Sequence, residues 1–425
     1  METLLAFAAV PALAILGALL FVLLFEPSLP YHVQPPGAPI GSAPFLEYLG
    51  SIVNAKVFPA AGAEVLDEGE ALYAAQLAAI GRARSSVHLE VYLFLRGRAG
   101  DRFIAALAER ARAGVAVRLV VDRIGSLATP ASYFDPVLQA GGRMCWYQPI
   151  AWYTLKRFNN RTHRDLLIVD GRVGFIGGVG VADYWLGPPG NGRPWRDTAL
   201  RFEGPIVEGL QTSFAENWLE AAGEILGESA FAPAAGHEPA REGCALVVNS
   251  TPSAGRSTRA RMLFQVLLAS ARESIRITSP YFVPDASLAG ELARAASRGV
   301  QVTVLTPGAW NNHPIARLAS RRRYGALLST GIAIHEYQPR MIHAKVLVVD
   351  DTWSVIGSTN FDSRSFGLND EVNVAVREPA LARRLAADFT RDLESSRPVG
   401  LEEWRRRPLT ERLLAAMARV FERQE

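Results

Sequence analysis

The spacing of apolar positions divides this chain into an opening apolar run, a spacer, and two similar α/β patterns. Leu4–Phe25 carries no charged residue. As a helix it would be about 33 Å long, enough to cross a bilayer core. Its length, Glu2 in place of a basic residue before it, and the lack of a nearby A-x-A site favour an uncleaved anchor over a cleaved signal peptide. No Lys or Arg precedes Lys56, so no basic residue near the run biases its orientation. From Glu26 to Pro44, including Pro35-Pro36, Pro and Gly dominate, and the stretch reads as a linker. Near Phe45 an α/β pattern begins. Helical spacing covers Gly69–Arg84, a strand Val87–Phe94, a second helix Asp101–Ala113 closed by Gly114, and a strand Val115–Val121.

The same order returns downstream. Arg261–Arg272 is helical, Ile275–Phe282 a strand, Ser287–Arg298 a helix closed by Gly299, and Val300–Leu305 a strand. Ala113-Gly114-Val115-Ala116-Val117 aligns with Arg298-Gly299-Val300-Gln301-Val302. This predicts a duplicated domain, because the period is too long for a solenoid. The joint between the copies falls at Gly223–Gly243, with Pro233 and Pro239. In the tail, Leu409, Leu413, Leu414, Met417, Val420 and Phe421 share one helical face, preceded by Trp404 and Arg405-Arg406-Arg407. That face has two uses, packing on the domain or lying on an anionic bilayer. The predicted units are therefore 1–30 (membrane anchor), 45–222 and 244–400 (two α/β halves), and 401–425 (amphipathic helix).

At 425 residues the chain is too long for one ordinary core, and 49% hydrophobic with 20% charged residues fits a folded protein. A formal charge of +3 argues against a general nucleic-acid binder, and none is expected as partner. Only Lys56, Lys156 and Lys345 are lysine among 45 basic residues. Cys145 and Cys244 have neither a zinc-type nor a disulfide-framework spacing.

Candidate chemistry concentrates in Met341–Asn373. Val346–Val349 is a short apolar run that reads as a buried strand. His343 and Lys345 precede it on one face, Asp350 and Asp351 close it, and Gly357-Ser358-Thr359-Asn360 makes a donor-rich turn. An imidazole, an ammonium and a ring of N–H donors suit a phosphate. The first half repeats the spacing with His163, Asp170 and Gly177-Gly178. Asp165 stands where the second copy has Lys345, and Gly180 where it has Asn360. Arg161, Arg164, Arg193 and Arg196 are near in sequence and are the expected neutralisers of Asp165. His163 and Asp165 as metal ligands is a further reading, but no ligand cluster accompanies them. The loop between Trp185 and Trp195 is a candidate rim or lid.

His343-x-Lys345-x4-Asp350-x6-Gly357-Ser358-x-Asn360 resembles the signature of the phospholipase D superfamily. The flanks Ser279–Pro284 and Asn360–Ser365 resemble bacterial cardiolipin synthases. The resemblance implies two phospholipase D-like α/β/α halves with mixed sheets, related by a pseudo-two-fold and preceded by one transmembrane helix. It implies a catalytic set of His163, Asp170, His343, Lys345 and Asp350, with Gly178, Ser358 and Asn360 binding phosphate. One histidine attacks phosphorus and becomes a phosphohistidine while the other moves the proton, with no metal and no cofactor. Each imidazole needs an orienting carboxylate. The candidates are Glu371 for His343 and Asp197 for His163. The resemblance favours the first-half histidine as nucleophile, but Asp165 in place of its lysine leaves the assignment open. The implied activity is phosphatidyl transfer between phospholipids at a bacterial cell membrane, as in cardiolipin synthesis from phosphatidylglycerol. A hydrolytic phospholipase D, a nuclease of the superfamily and a catalytically weakened lipid-binding protein are the alternatives.

Overall fold

The computed structural model describes residues 11, 13–18, 31–59, 62–150, 152, 157, 159–187, 192–231, 243–253 and 257–417. Two mixed sheets carry it. The first runs, in spatial order, Glu64–Leu66, Ala199–Glu203, Val173–Gly177, Asp165–Val169, Ser86–Val91, Ala116–Asp122 and Arg143–Tyr147. Pairing is antiparallel as far as Ser86–Val91 and parallel beyond it. The second sheet repeats this order with Cys244–Ser250, Glu371–Arg377, Trp353–Gly357, Val346–Val349, Ser274–Thr278, Gln301–Pro307 and Ala333–Tyr337. It gains Val57–Pro59 at one edge and Ser396–Pro398 at the other.

Alternation along the strands gives each sheet two buried faces. In the first half Val87, Leu89, Val91 and Leu119 pack beneath the helices Gly69–Gly81 and Arg98–Arg112. On the opposite face Leu166, Ile176, Leu200 and Trp218 of the helix Ile206–Ala222 meet Val247, Val348, Ile356 and Val374 of the second half. The second sheet is covered outside by Arg259–Ser270 and Ala286–Ser297 and inside by Pro379–Glu394. The two α/β/α halves thus share one apolar seam. Gly114 and Gly299 sit at φ +84° and +88°, the left-handed conformation that ends a helix without a Cβ penalty. The expected long strand Ile275–Phe282 divides, because Phe282–Val283 leaves the sheet to pair with Phe361–Asp362.

Three boundaries differ from those expected. Residues 31–42 are not a free linker but lie along the second half. The Tyr31 N–H donates to Ser287 Oγ at 2.8 Å, and Trp353 Nε1 donates to the Ile40 carbonyl at 2.8 Å. The helix Ala43–Ile52 buries Phe45 and Leu49 in the outer core of the second half, and Val57–Pro59 pairs with Cys244–Ser250. The first half therefore starts at Glu64, not at residue 45. In the tail, a break around Pro408 separates Leu401–Arg405 from Leu409–Met417, since proline has no N–H to continue a helix. Trp404 docks on Gly325 and Glu411 pairs with Arg321 at 2.7 Å, yet Leu409 and Leu414 remain 70% and 51% exposed. Val420 and Phe421 lie outside the described residues, as does most of Leu4–Phe25. Among the described residues no helix is long and apolar enough to cross a membrane.

Candidate active site

Each motif strand runs antiparallel to its neighbour in the parallel part of the sheet. Its N-terminal end, where the histidine sits, therefore lies at the carboxyl edge of the parallel strands. In open α/β sheets that edge is where ligands bind. The two edges face each other across the seam and enclose a cleft of about 560 Å³. His163, Asp165, Gly178 and Gly180 line it from the first half, with His343, Asn360, Asp362 and Arg364 from the second.

Short backbone bridges across the seam set the site. His163 N–H donates to the Asp370 carbonyl at 2.9 Å, and Asp370 N–H returns to Arg161 at 2.9 Å. At the matching place His343 N–H donates to Arg196 at 2.7 Å, and Arg196 N–H returns to Met341 at 2.8 Å. Each bridge delivers the next side chain to the histidine of the other half. Glu371 lies 3.1 Å from His163 Nδ1, and Asp197 lies 2.9 Å from His343 Nδ1. The orienting pairs are thus crossed relative to the same-half pairing expected from the sequence. A carboxylate on Nδ1 keeps the proton there and turns Nε2 toward the cleft.

The carboxylates are themselves held. Trp185 Nε1 and Thr198 N–H donate to Asp197 at 3.1 and 2.8 Å. The Ser358 hydroxyl donates to Glu371, so Ser358 positions that carboxylate and is not a phosphate donor as expected. Asp170 and Asp350 do not reach the cleft. They occupy the far ends of the motif strands with φ +54° and +50°, accepting N–H bonds from Arg84–Ser86 and Arg272–Ser274. Their spacing in the motif marks a turn that ties two strand ends.

Lys345 is buried and leans across the seam. Its Nζ is 2.8 Å from His343 Nδ1 and 2.9 Å from Nε2. It also passes so close to Gly178 that a Cβ there would meet it at 2.7 Å. Gly180 is equally constrained, as a Cβ would strike the Leu93 carbonyl at 2.6 Å, which accounts for the missing counterpart of Asn360. Asn360 Oδ1 is buried with no hydrogen-bond partner among the described residues. None of the expected arginines neutralises Asp165. Arg161 faces Asp122 at 3.6 Å, Arg164 faces Glu216 at 3.2 Å, Arg196 faces Asp392 at 3.1 Å, and Arg193 reaches Pro339 at 3.4 Å. Asp165 instead accepts from Tyr92 N–H at 3.2 Å and feels the charges of His163 and Lys345.

Burial pushes the Asp165 carboxyl up to about 7, against the pull of His163 and Lys345. Burial and the adjacent ammonium bring His343 down to about 4, although Asp197 opposes them. For His163 burial acts downward, but Glu371 outweighs it and holds the imidazole above its usual range. Burial lowers Lys345 to about 8. Trp185 and Trp195, at the ends of the candidate rim loop, set their rings 5.7 and 5.4 Å from that of His343, the first edge-on and the second tilted. Tyr92, Asn159, Asn312 and His313, which no sequence motif announced, also line the cleft.

A family model described as "Cardiolipin synthase, PLD-like domain" matches residues 77–183 and 265–393, the motif-bearing core of each half. This chain belongs to the cardiolipin synthase family. A cardiolipin synthase of Geobacillus sp. (strain WCH70) is 32% identical over 90% of this chain and 76% of its own length. Another cardiolipin synthase, from Alkalihalophilus pseudofirmus, is 33% identical over 84% of this chain and 71% of its own. Among solved structures, a phosphatidylserine synthase of Haemophilus influenzae Rd KW20 superposes with a TM-score of 0.70 at 13% identity. It covers 89% of this chain and 97% of its own, and supports the fold alone. Within this site the first half differs from the second at Asp165, where the second has Lys345, and at Gly180, where it has Asn360.

Proposed function

We propose that this protein is a phosphatidyltransferase that joins membrane phospholipids, making cardiolipin from phosphatidylglycerol through a phosphohistidine intermediate. The observation that carries the reading is the pair of buried histidines in one cleft, each backed by a carboxylate from the opposite half. Phosphodiester exchange without a metal needs a nucleophile, a proton carrier for the leaving and entering alcohols, and fixed positive charge. The two imidazoles supply the first two and Lys345 the third. Membership of the cardiolipin synthase family supports a lipid as donor.

A second cleft of about 580 Å³ adjoins the first through Trp195 and Asn312 and carries Trp310, Arg193 and Arg340. Its size and Arg193, with Arg340 already paired to Glu68 at 3.2 Å, suit the anionic headgroup of an accepting lipid, which favours transfer over hydrolysis. Leu4–Phe25 is proposed to hold the enzyme in the membrane, and intact-mass measurement of the extracted protein tests this. A mature N-terminus beyond Phe25 would discard the anchor.

Purified protein incubated with phosphatidylglycerol vesicles should yield cardiolipin and glycerol by mass spectrometry. Phosphatidic acid as the sole product would make it a hydrolase. Cleavage of nucleic acid without lipid turnover would make it a nuclease.

A further inference from the structure

The two halves supply their groups in matching pairs. His163 matches His343, and Asp197 matches Glu371, since Ala199 pairs with Gly177 as Asn373 pairs with Gly357. Three places break the match, Asp165 against Lys345, Gly178 against Ser358 and Gly180 against Asn360, and the first two lie near Lys345. Asp165 stands opposite Lys345, and Gly178, the counterpart of Ser358, leaves open the space through which Lys345 passes.

We propose that His343 is the nucleophile of this site and His163 its general acid and base, with Asp165 the positioning residue that fixes the assignment. This rests on the phosphatidyl-transfer reading above. His163 faces Glu371 on Nδ1 and feels the charge of Asp165, the first residue of the strand two positions on, together with Lys345 and the Tyr92 ring. His343 faces one carboxylate, Asp197, and the ammonium of Lys345 at 2.8 Å, with His163 and the rings of Trp185, Trp195 and Tyr281 around it. Two carboxylates stabilise an imidazolium, and a cation in contact opposes one. The shifts of the two imidazoles run in these opposite directions. A nucleophile needs a free lone pair on Nε2, whereas an acid needs a proton there.

The chemistry then balances. The lone pair on His343 Nε2 forms the P–N bond as the P–O bond to the leaving glycerol breaks, and His163 Nε2–H gives its proton to the departing oxygen. In the second step the accepting alcohol passes its proton to the now neutral His163. Its oxygen forms the new P–O bond, and the P–N bond returns its electrons to His343. Lys345, beside the nucleophile, faces the phosphoryl oxygens as negative charge builds on them. With a lysine at position 165 as well, the two histidines would sit in nearly equal fields. Asp165 removes that equivalence.

Alkaline quenching of the full-length enzyme during turnover of phosphatidyl-p-nitrophenol, followed by peptide mapping, should place the phosphatidyl adduct on His343. An adduct on His163 overturns the assignment and leaves the transfer reading standing. No adduct on either histidine overturns both. Variants give a second readout, because p-nitrophenol leaves without being protonated. His163→Asn should keep a burst of p-nitrophenol while losing about 10²–10⁴-fold on phosphatidylglycerol. His343→Asn should show no burst, and the reverse pattern rejects the proposal. Asp165→Asn should move the alkaline limb of kcat/KM down by about one pH unit, and Asp165→Glu should restore it. A lower rate with an unmoved limb would remove Asp165 from the argument.

Discussion

Gly178 is the position where one added methyl group should have the largest effect. Its Cβ would stand 2.7 Å from Lys345 Nζ and 2.8 Å from Cδ, so the side chain must leave its path. The backbone there is not left-handed, so Gly178→Ala tests space and not conformation. We expect the variant to fold with an unchanged Tm and to lose about 10²-fold in kcat, the usual cost of one misplaced charge-stabilising donor. Withdrawing the ammonium also lets His343 rise from about 4, so activity should be lost at higher pH on the acid side. A profile whose acid limb stays in place would mean that Lys345 is not what depresses His343. At this scale the sequence was informative where a residue type is scarce. A lysine in so arginine-rich a chain pointed to the site. Motif membership alone misled for Asp170 and Asp350, because spacing along a strand does not say which end of it meets the ligand.

Those two aspartates belong to the scale of elements. Asp350 accepts three backbone N–H groups at 2.8–2.9 Å and adopts φ +50°, a conformation that Asp tolerates better than most residues. Asp350→Ala should cost about 2 kcal/mol of stability, readable by urea unfolding, while kcat per folded molecule stays close to wild type. A collapse of kcat in a stable variant would return Asp350 to the catalytic set. The bridges at His163–Asp370 and His343–Arg196 carry a second prediction. Glu371→Gln should lower the pKa of His163 and draw the alkaline limb down while the acid limb stays. If the acid limb moves instead, the pairing is not crossed. Helices and strands were legible because Gly114, Gly299 and the Val346–Val349 run carry local signals. The crossed carboxylates were not legible, because their placement depends on backbone bonds between segments far apart in sequence. The same holds for residues 31–42, whose Pro and Gly content suits a linker equally well when it lies docked.

For the molecule as a whole, neither half holds a complete acid–base pair. Each histidine is oriented from across the seam, and one apolar cluster that includes Trp218 and Val374 joins the halves. Fragments divided between residues 232 and 242 should each be inactive alone. Co-expressed, they should recover cardiolipin formation and elute together by size exclusion. Activity in the isolated first fragment would contradict the shared site. The first fragment should also be the less soluble of the two alone, because Phe45, Leu49 and Val57–Pro59 belong to the core and sheet of the second half.

The docked course of residues 31–42 has a further consequence. A free spacer from Glu26 to Pro44 would let the catalytic body range widely above its anchor. With Tyr31 already fastened to Ser287, only the residues between Phe25 and Tyr31 set the greatest separation from the anchor. Fully stretched they reach about 20 Å. If Leu4–Phe25 sits in the bilayer as proposed, the second half is tethered near the lipid surface by its Ser287 side. The cleft then samples a narrow band of heights and tilts, and meets lipids already concentrated at its level.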